Sequence, residues 1–388
     1  MKNNSTIISG NNISFIAGKD KTPEEMIQFL NEGAMFRSFT SLLAGLYKKE
    51  DLEMKLTEGL AELNYENKDS TARKVKNWLA ERSLPKNRET LFQICFILKL
   101  NEYESSKILG SVSDTGIHYR NPEELAYAYA LRTGKSYMEA VELKQKAVSI
   151  YESEKEKGLE ETSVIYTRQI RNAFVHVSED QEFYDFIREH SAKLGKLHET
   201  AYRKFAELLN CLQKPEAEGG ETAEGEKEYT LEKIMDTYIQ MKVPVEERNR
   251  KGEDKKKRKV KNMTGLQKLV KRYWPNESTL VKMRTRREDV NRKTLLLLYL
   301  VTEAFDADPG DTKDICYEED LEEDADTLLE IRLEKMNLFL EEYGMNRLDP
   351  GNVFDFLILY AMRAEEEKDA RTRMENVLEV LFGDRGTM

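Results

Sequence analysis

Between Ser70 and Leu100 the chain reads STARKVKNWLAERSLPKNRETLFQICFILKL, a stretch that leaves little room for anything but helices. Val75, Trp78 and Leu79 recur at helical spacing and leave Arg73, Lys74, Lys76, Asn77 and Arg82 on the other faces. Ser-Leu-Pro then stops that helix, because proline brings no amide hydrogen and its ring clashes with the preceding turn. Asn87 stands where it would cap the apolar run that follows, and Asn101 where it would cap EYESSKILG. The rest of the chain agrees. Only 8 prolines and 20 glycines punctuate 388 residues, so an all-α, multi-domain protein is expected.

Residues 1–22 are polar, with a weak alternation in STIIS and ISFIA, and fit a frayed tail or a small hairpin. A helix opens at Thr22, with Pro23 at its first position and Glu25 completing a capping box. Further helices are expected near 50–64, 70–82, 87–99, 101–109, 121–131 and 136–157, with Gly134 at a helix-hairpin turn. More follow across 160–213, broken near Ser178 and Gly195. Residues 214–228, KPEAEGGETAEGEKE, have the composition of a linker. The expected layout is a tail at 1–22, a five-helix domain at 23–110, a helical extension at 111–213, the linker, and a C-terminal helical domain at 229–388.

The net charge of −11 excludes a protein that coats nucleic acid with its whole surface, but local fields still count. Residues 248–293 hold 18 Lys/Arg against 5 Asp/Glu, a net of +13, and residues 303–330 hold 13 Asp/Glu against 1 Lys, a net of −12. The two blocks can neutralise each other, or the basic one can face a polyanion through Lys282, Arg284, Arg286 and Arg287. Cys95, Cys211 and Cys316 are odd in number and far apart, which reads as reduced thiols in a cytoplasmic protein. The start is too polar for a signal peptide and no apolar run approaches 18 residues, so no membrane partner is expected.

The run KVKNWLAERSLPKNRETLFQICFILKLNEYESSKIL resembles the third to fifth helices of the lambda-repressor-like (XRE-type) helix-turn-helix family. There a Trp-bearing helix is followed by a Pro-containing loop, a packing helix and a short acidic helix. The resemblance covers residues 36–110 and implies a third helix lying in the major groove of DNA. Lys76 and Asn77 are then placed for base edges, Lys74, Arg82, Lys86 and Arg88 for phosphates, and Arg73 belongs to the same reading helix. One departure stands out. The turn before the reading helix, NYENKDS at 64–70, is longer than the family's tight Gly-containing turn, with Asp69 or Ser70 as the cap. The function this implies is a DNA-binding transcriptional regulator, in a mobile-element or defence setting. A helical adaptor for protein partners is the bland alternative, and homo-oligomerisation is expected in either case.

Asn87-Arg88-Glu89-Thr90-Leu91 aligns with Asn291-Arg292-Lys293-Thr294-Leu295, each ahead of an apolar helix. Either two related modules or two buried helices with similar caps fits. A separate motif, RNAFVH, resembles the Arg-Asn-x-x-x-His signature of the HEPN ribonucleases. That resemblance implies metal-independent RNA cleavage, with His176 as acid/base, Arg171 steadying the phosphate and Asn172 orienting the pair. His118, His176, His190 and His198 show no i, i+3 or i, i+4 ligand pairing, and no Walker, GxSxG or dinucleotide-binding glycine pattern occurs. No metal or cofactor is expected.

Overall fold

The computed structural model describes residues 4–17, 20–34, 36–85, 87–113, 115–154, 166–195, 197–213, 229–244, 263–302, 325–363 and 369–383. The expected linker at 214–228, most of the acidic block, Lys86 and Cys316 lie outside the described residues. Among the described residues the structure is helical and contains no strand, as the sparse Pro and Gly content requires. No helix there is long and apolar enough to cross a membrane.

In chain order the helices are α1 (Asn4–Ile16), α2 (Pro23–Glu32), α3 (Phe39–Leu46), α4 (Leu52–Asn64), α5 (Lys68–Leu79), α6 (Arg88–Ile97) and α7 (Glu102–Val112). There follow α8 (Pro122–Thr133), α9 (Tyr137–Glu154), α10 (Tyr166–Phe174), α11 (Asp180–Glu189) and α12 (Glu199–Gln213). The last are α13 (Leu231–Ile234), α14 (Gly265–Tyr273), α15 (Glu277–Arg284), α16 (Arg292–Val301), α17 (Ala325–Glu342), α18 (Val353–Met362) and α19 (Ala370–Phe382).

They form two compact units whose bounds differ from the expected layout. The first unit comprises 37–200 with 341–346; the second combines 1–36, 201–340 and 347–388. The stretch expected as one domain at 23–110 is thus divided, because α2 packs on α19 and leaves α3–α7 to the first unit. Residues 1–22 are not a hairpin either: α1 is helical, with Ile16 buried and the buried Asn12 amide donating to the Pro350 carbonyl at 2.7 Å. Tertiary burial here overrides a polar, Gly/Asn-containing sequence of low helix propensity.

The first unit closes around Phe39, Leu43, Leu56, Leu60, Val75, Leu91, Cys95, Ile108, Leu125, Tyr129, Phe174 and Phe183. Helices α6 and α7 begin, and α8 ends, where the sequence expects them to. Asn87 accepts from the Thr90 amide at 2.7 Å, Asn101 forms a capping box with Glu104, and Gly134 ends α8 in the left-handed region at φ 71°. In the second unit α16 and α18 are buried nearly all round, and the Thr22–Glu25 capping box opens α2. Trp274 anchors the core there, its indole N–H donating to the Ile239 carbonyl at 2.8 Å.

Candidate nucleic-acid interface

The long turn expected before the reading helix is in fact short. Asn67, rather than Asp69 or Ser70, caps α5, its side chain accepting from the Asp69 and Ser70 amides at 2.9 and 3.2 Å. The helix therefore starts two residues earlier, and only Tyr65, Glu66 and Asn67 link α4 to α5. Tyr65 makes this possible by adopting φ 52° and ψ 35°, while the Glu66 amide reaches back to the Ala61 carbonyl at 3.0 Å. That is a left-handed helix stop made without glycine. A three-residue turn thus joins two packed helices, a connection that helix hairpins and helix-turn-helix units share.

Several contacts fix α5 in place. Val75 is fully buried, with Trp78 and Leu79 half-buried against the same core, as the stripe anticipates. The Thr40 hydroxyl of α3 lies within hydrogen-bond reach of the Trp78 and Leu79 carbonyls, at 3.2 and 3.1 Å, satisfying the end of α5. Asn64 and Gln93 exchange amide hydrogen bonds of 3.2 and 2.8 Å, tying the end of α4 to α6. Behind Gln93 stands a polar cluster in which the Tyr127 and Tyr137 hydroxyls both donate to Glu89, with Lys144 alongside. Burial acts to raise the Glu89 carboxyl, but the two tyrosine hydrogen bonds and the Lys144 charge outweigh it and hold it below the ordinary range. Burial and Glu89 in turn push Tyr137 up to about 12.

The expected site residues separate into three groups. Arg73 and Lys76 are exposed and Asn77 is half-buried on α5, whereas Arg82, expected on the same helix, is exposed in the turn beyond it, because α5 ends at Leu79 and Glu81 turns left-handed. Lys74 is exposed but paired with Glu66 at 2.7 Å, and its hydrogen bond holds the Glu66 carboxyl below its ordinary range. Such a surface pair is weak and readily exchanges one anion for another. Arg88 is different. Its guanidinium forks onto Glu124 at 2.6 and 2.7 Å and also donates to Ser113 Oγ and to the Gly116 carbonyl, both at 2.6 Å. It clamps the start of α6 to the start of α8 and presents no free head to a phosphate.

In the second unit Lys282, Arg284 and Arg287 are exposed around α15, with Lys282 paired to Glu288. Arg286 lies over the Tyr202 ring, 4.2 Å from its centroid. Arg171, Asn172 and His176 are all exposed at the end of α10, where the Arg171 guanidinium sits 5.3 Å from the Tyr119 ring centroid. The fold also brings together two residues that spacing could not pair, the His118 and His198 rings, 4.8 Å apart. Sequence reasoning missed Tyr65 and Thr40 as well. A left-handed tyrosine carries no sequence signal, and a single threonine on a short apolar helix carries none either.

Comparison with known proteins finds no matching family model, no similar curated protein and no similar solved structure.

Proposed function

We propose that the first unit is a DNA-binding head in which α5 lies in the major groove, making the chain a sequence-reading regulator. The three-residue turn carries this reading: with Tyr65 left-handed and Asn67 as the cap, α4 and α5 have the connection such a head requires. Asn77 is placed for an adenine edge and Arg73 and Lys76 for guanine, while Arg82, with Lys74 released from Glu66, serves phosphates. Arg88 has a structural role instead.

The test is to incubate the full chain with sheared genomic DNA at moderate and high salt and sequence what is retained. A shared motif that survives salt is the expected result. Its loss is expected on replacing Lys76 and Asn77 together by Ala. Retention of the motif by that variant would remove α5 from the interface.

The exposure of Arg171, Asn172 and His176 together at one helix end supports a second reading, metal-independent RNA cleavage. There His176→Ala should abolish turnover of single-stranded RNA, and unchanged cleavage would end that reading.

A further inference from the structure

The two units are built on one frame. Asn87 caps the ten-residue helix α6 and Asn291 the ten-residue helix α16, accepting from the Thr90 and Thr294 amides at 2.7 and 2.9 Å. Each helix begins with an arginine that forks onto an acid in the first turn of the helix two further along. Arg88 grips Glu124 in α8, and Arg292 grips Asp355 in α18 at 2.8 Å on both prongs. Each arginine also donates to a carbonyl at the same separation before its acid, Gly116 in one unit and Arg347 in the other. Each acid accepts a 2.8 Å hydrogen bond from the amide six residues before it, His118 or Asp349. Asn121 and Asn352 cap the two helices.

The match continues beyond them. Tyr129 and Tyr360, five residues after each acid, are buried, and each hydroxyl donates to the carbonyl just before the cap of a further helix. That carbonyl is Ser178 ahead of α11 in the first unit and Lys21 ahead of α2 in the second. Two unrelated helices with similar caps would not repeat this set of bonds at these separations. Together they make one frame that occurs twice, each copy joined through its tyrosine to a further helix, α11 in one unit and α2 in the other.

On this frame α15 stands where α5 stands. Glu81 and Arg286 both turn left-handed, at φ 55° and 57°. The amides of Arg82 and Ser83 return to the Asn77 carbonyl at 2.9 and 3.3 Å, and those of Arg287 and Glu288 to the Lys282 carbonyl at 2.8 and 3.3 Å. Val75 and Leu280 are the buried anchors beneath. Thr40 bonds the Leu79 carbonyl, and the Tyr202 hydroxyl donates to the Arg284 carbonyl at 3.2 Å. Lys282 is thus the counterpart of Asn77, Val281 of Lys76 and Arg287 of Arg82. The entry differs: α15 has 8 residues against 12 in α5, and it follows the buried, extended Trp274 rather than a left-handed Tyr65.

We propose that α15 is a second DNA-reading helix, so that one chain takes a bipartite, non-palindromic duplex site as a monomer. This rests on the reading of α5 given above. Between 263 and 293 there are nine Lys/Arg against three Asp/Glu, the charge balance that a phosphate backbone selects. The exposed Val281 suits a thymine methyl, Lys282 and Arg284 suit guanine, and Arg287 suits a phosphate. Arg286, laid on Tyr202, is a strut. The Lys282–Glu288 pair is exposed and costs little to open. Because the two helices present different side chains, the two half-sites differ in sequence.

The experiment selects the full chain against a random duplex pool about four helical turns long, then sizes the complex by sedimentation. Wild type is expected to enrich a two-part motif bound by one chain per duplex. Replacing Arg284 and Arg287 by Ala should erase one part, and replacing Lys76 and Asn77 by Ala the other. Each double change should weaken binding to the selected site about 10- to 100-fold with the melting temperature unchanged. Val281→Lys, an exposed change, should alter the preferred base in one half-site only. The second head is overturned if the Arg284/Arg287 variant and Val281→Lys both keep the wild-type motif and affinity. A palindrome bound by two chains also overturns it. If only the Lys76/Asn77 variant keeps the full motif, the assignment of α5 fails and the two-headed site with it. A pool with no enriched motif rejects both.

Discussion

Arg88 offers the sharpest test of the division between fold and interface, because residue type alone assigns it to a phosphate. Its side chain is 28% exposed and that of Glu124 is 8% exposed, and the pair sits among the Ser113 hydroxyl and two backbone carbonyls. Replacing Arg88 by Ala strands a buried carboxylate, a change that typically costs about 3–5 kcal/mol. The low end applies, since the His118 amide still donates to Glu124 at 2.8 Å and Arg88 is only partly buried. For a unit of this size, about 3 kcal/mol corresponds to a fall in melting temperature of roughly 6–12 °C. Circular dichroism melting of wild type, Arg88→Ala, Glu124→Ala and the double variant measures both the loss and the coupling between the two residues. The single losses should be large and strongly non-additive. A variant that melts within about 1 °C of wild type, yet loses about one unit of salt slope in DNA binding, would show Arg88 to be a phosphate contact and refute the clamp.

Three further outcomes follow from the same structure. Glu89 has its folded pKa below its unfolded value, so its contribution is complete above the ordinary carboxylate range and disappears as pH falls through the lowered folded value. Denaturation midpoints should drop between about pH 5 and pH 3 and do so less steeply in Glu89→Gln; equal slopes would remove Glu89 as the cause. Tyr65 holds a left-handed conformation at 96% exposure, so Tyr65→Gly should stabilise the first unit by about 0.5–1 kcal/mol in urea denaturation, and a loss of stability would contradict the strain argument. Burial pushes the Cys95 thiol up to about 12 while Cys211 is exposed, so a thiol reagent followed by peptide mapping should label Cys211 quickly and Cys95 only on unfolding. Equal rates would mean that the core around Cys95 opens readily.

The parts of the fold that could be read from sequence are those that local chemistry decides. Thr22, Asn87 and Asn101 cap where their side chains promise, and the stripe Val75–Trp78–Leu79 faces inward. Reading failed where a distant residue decides, or where a local one departs from its usual conformation. The start of α5 turned on Asn67 and a left-handed Tyr65, which no glycine advertised. Helix α1 exists because it packs on residues more than 300 positions away. Arg88 reads as a surface cation until α8 brings Glu124 to it. The five-residue likeness at Asn87 and Asn291 was too short to interpret alone, whereas the hydrogen bonds around Arg88 and Arg292 make it part of a repeated frame.

The placement of α1 and α2 also bears on how the chain is made. Both belong to the second unit, where Tyr360 donates to the Lys21 carbonyl, Asp20 pairs with Arg373 at 2.5 Å and Phe29 lies against Phe356. During synthesis these two helices leave the ribosome early, yet their binding surface follows only after more than 300 further residues. At roughly 5–20 residues per second, Met26 and Leu30 wait on the order of 15–60 seconds without the core that buries them. Residues 37–200 have no such delay and can close first. Deleting either α1 and α2 or α18 and α19 should therefore leave aggregation-prone surface on whatever remains of the second unit.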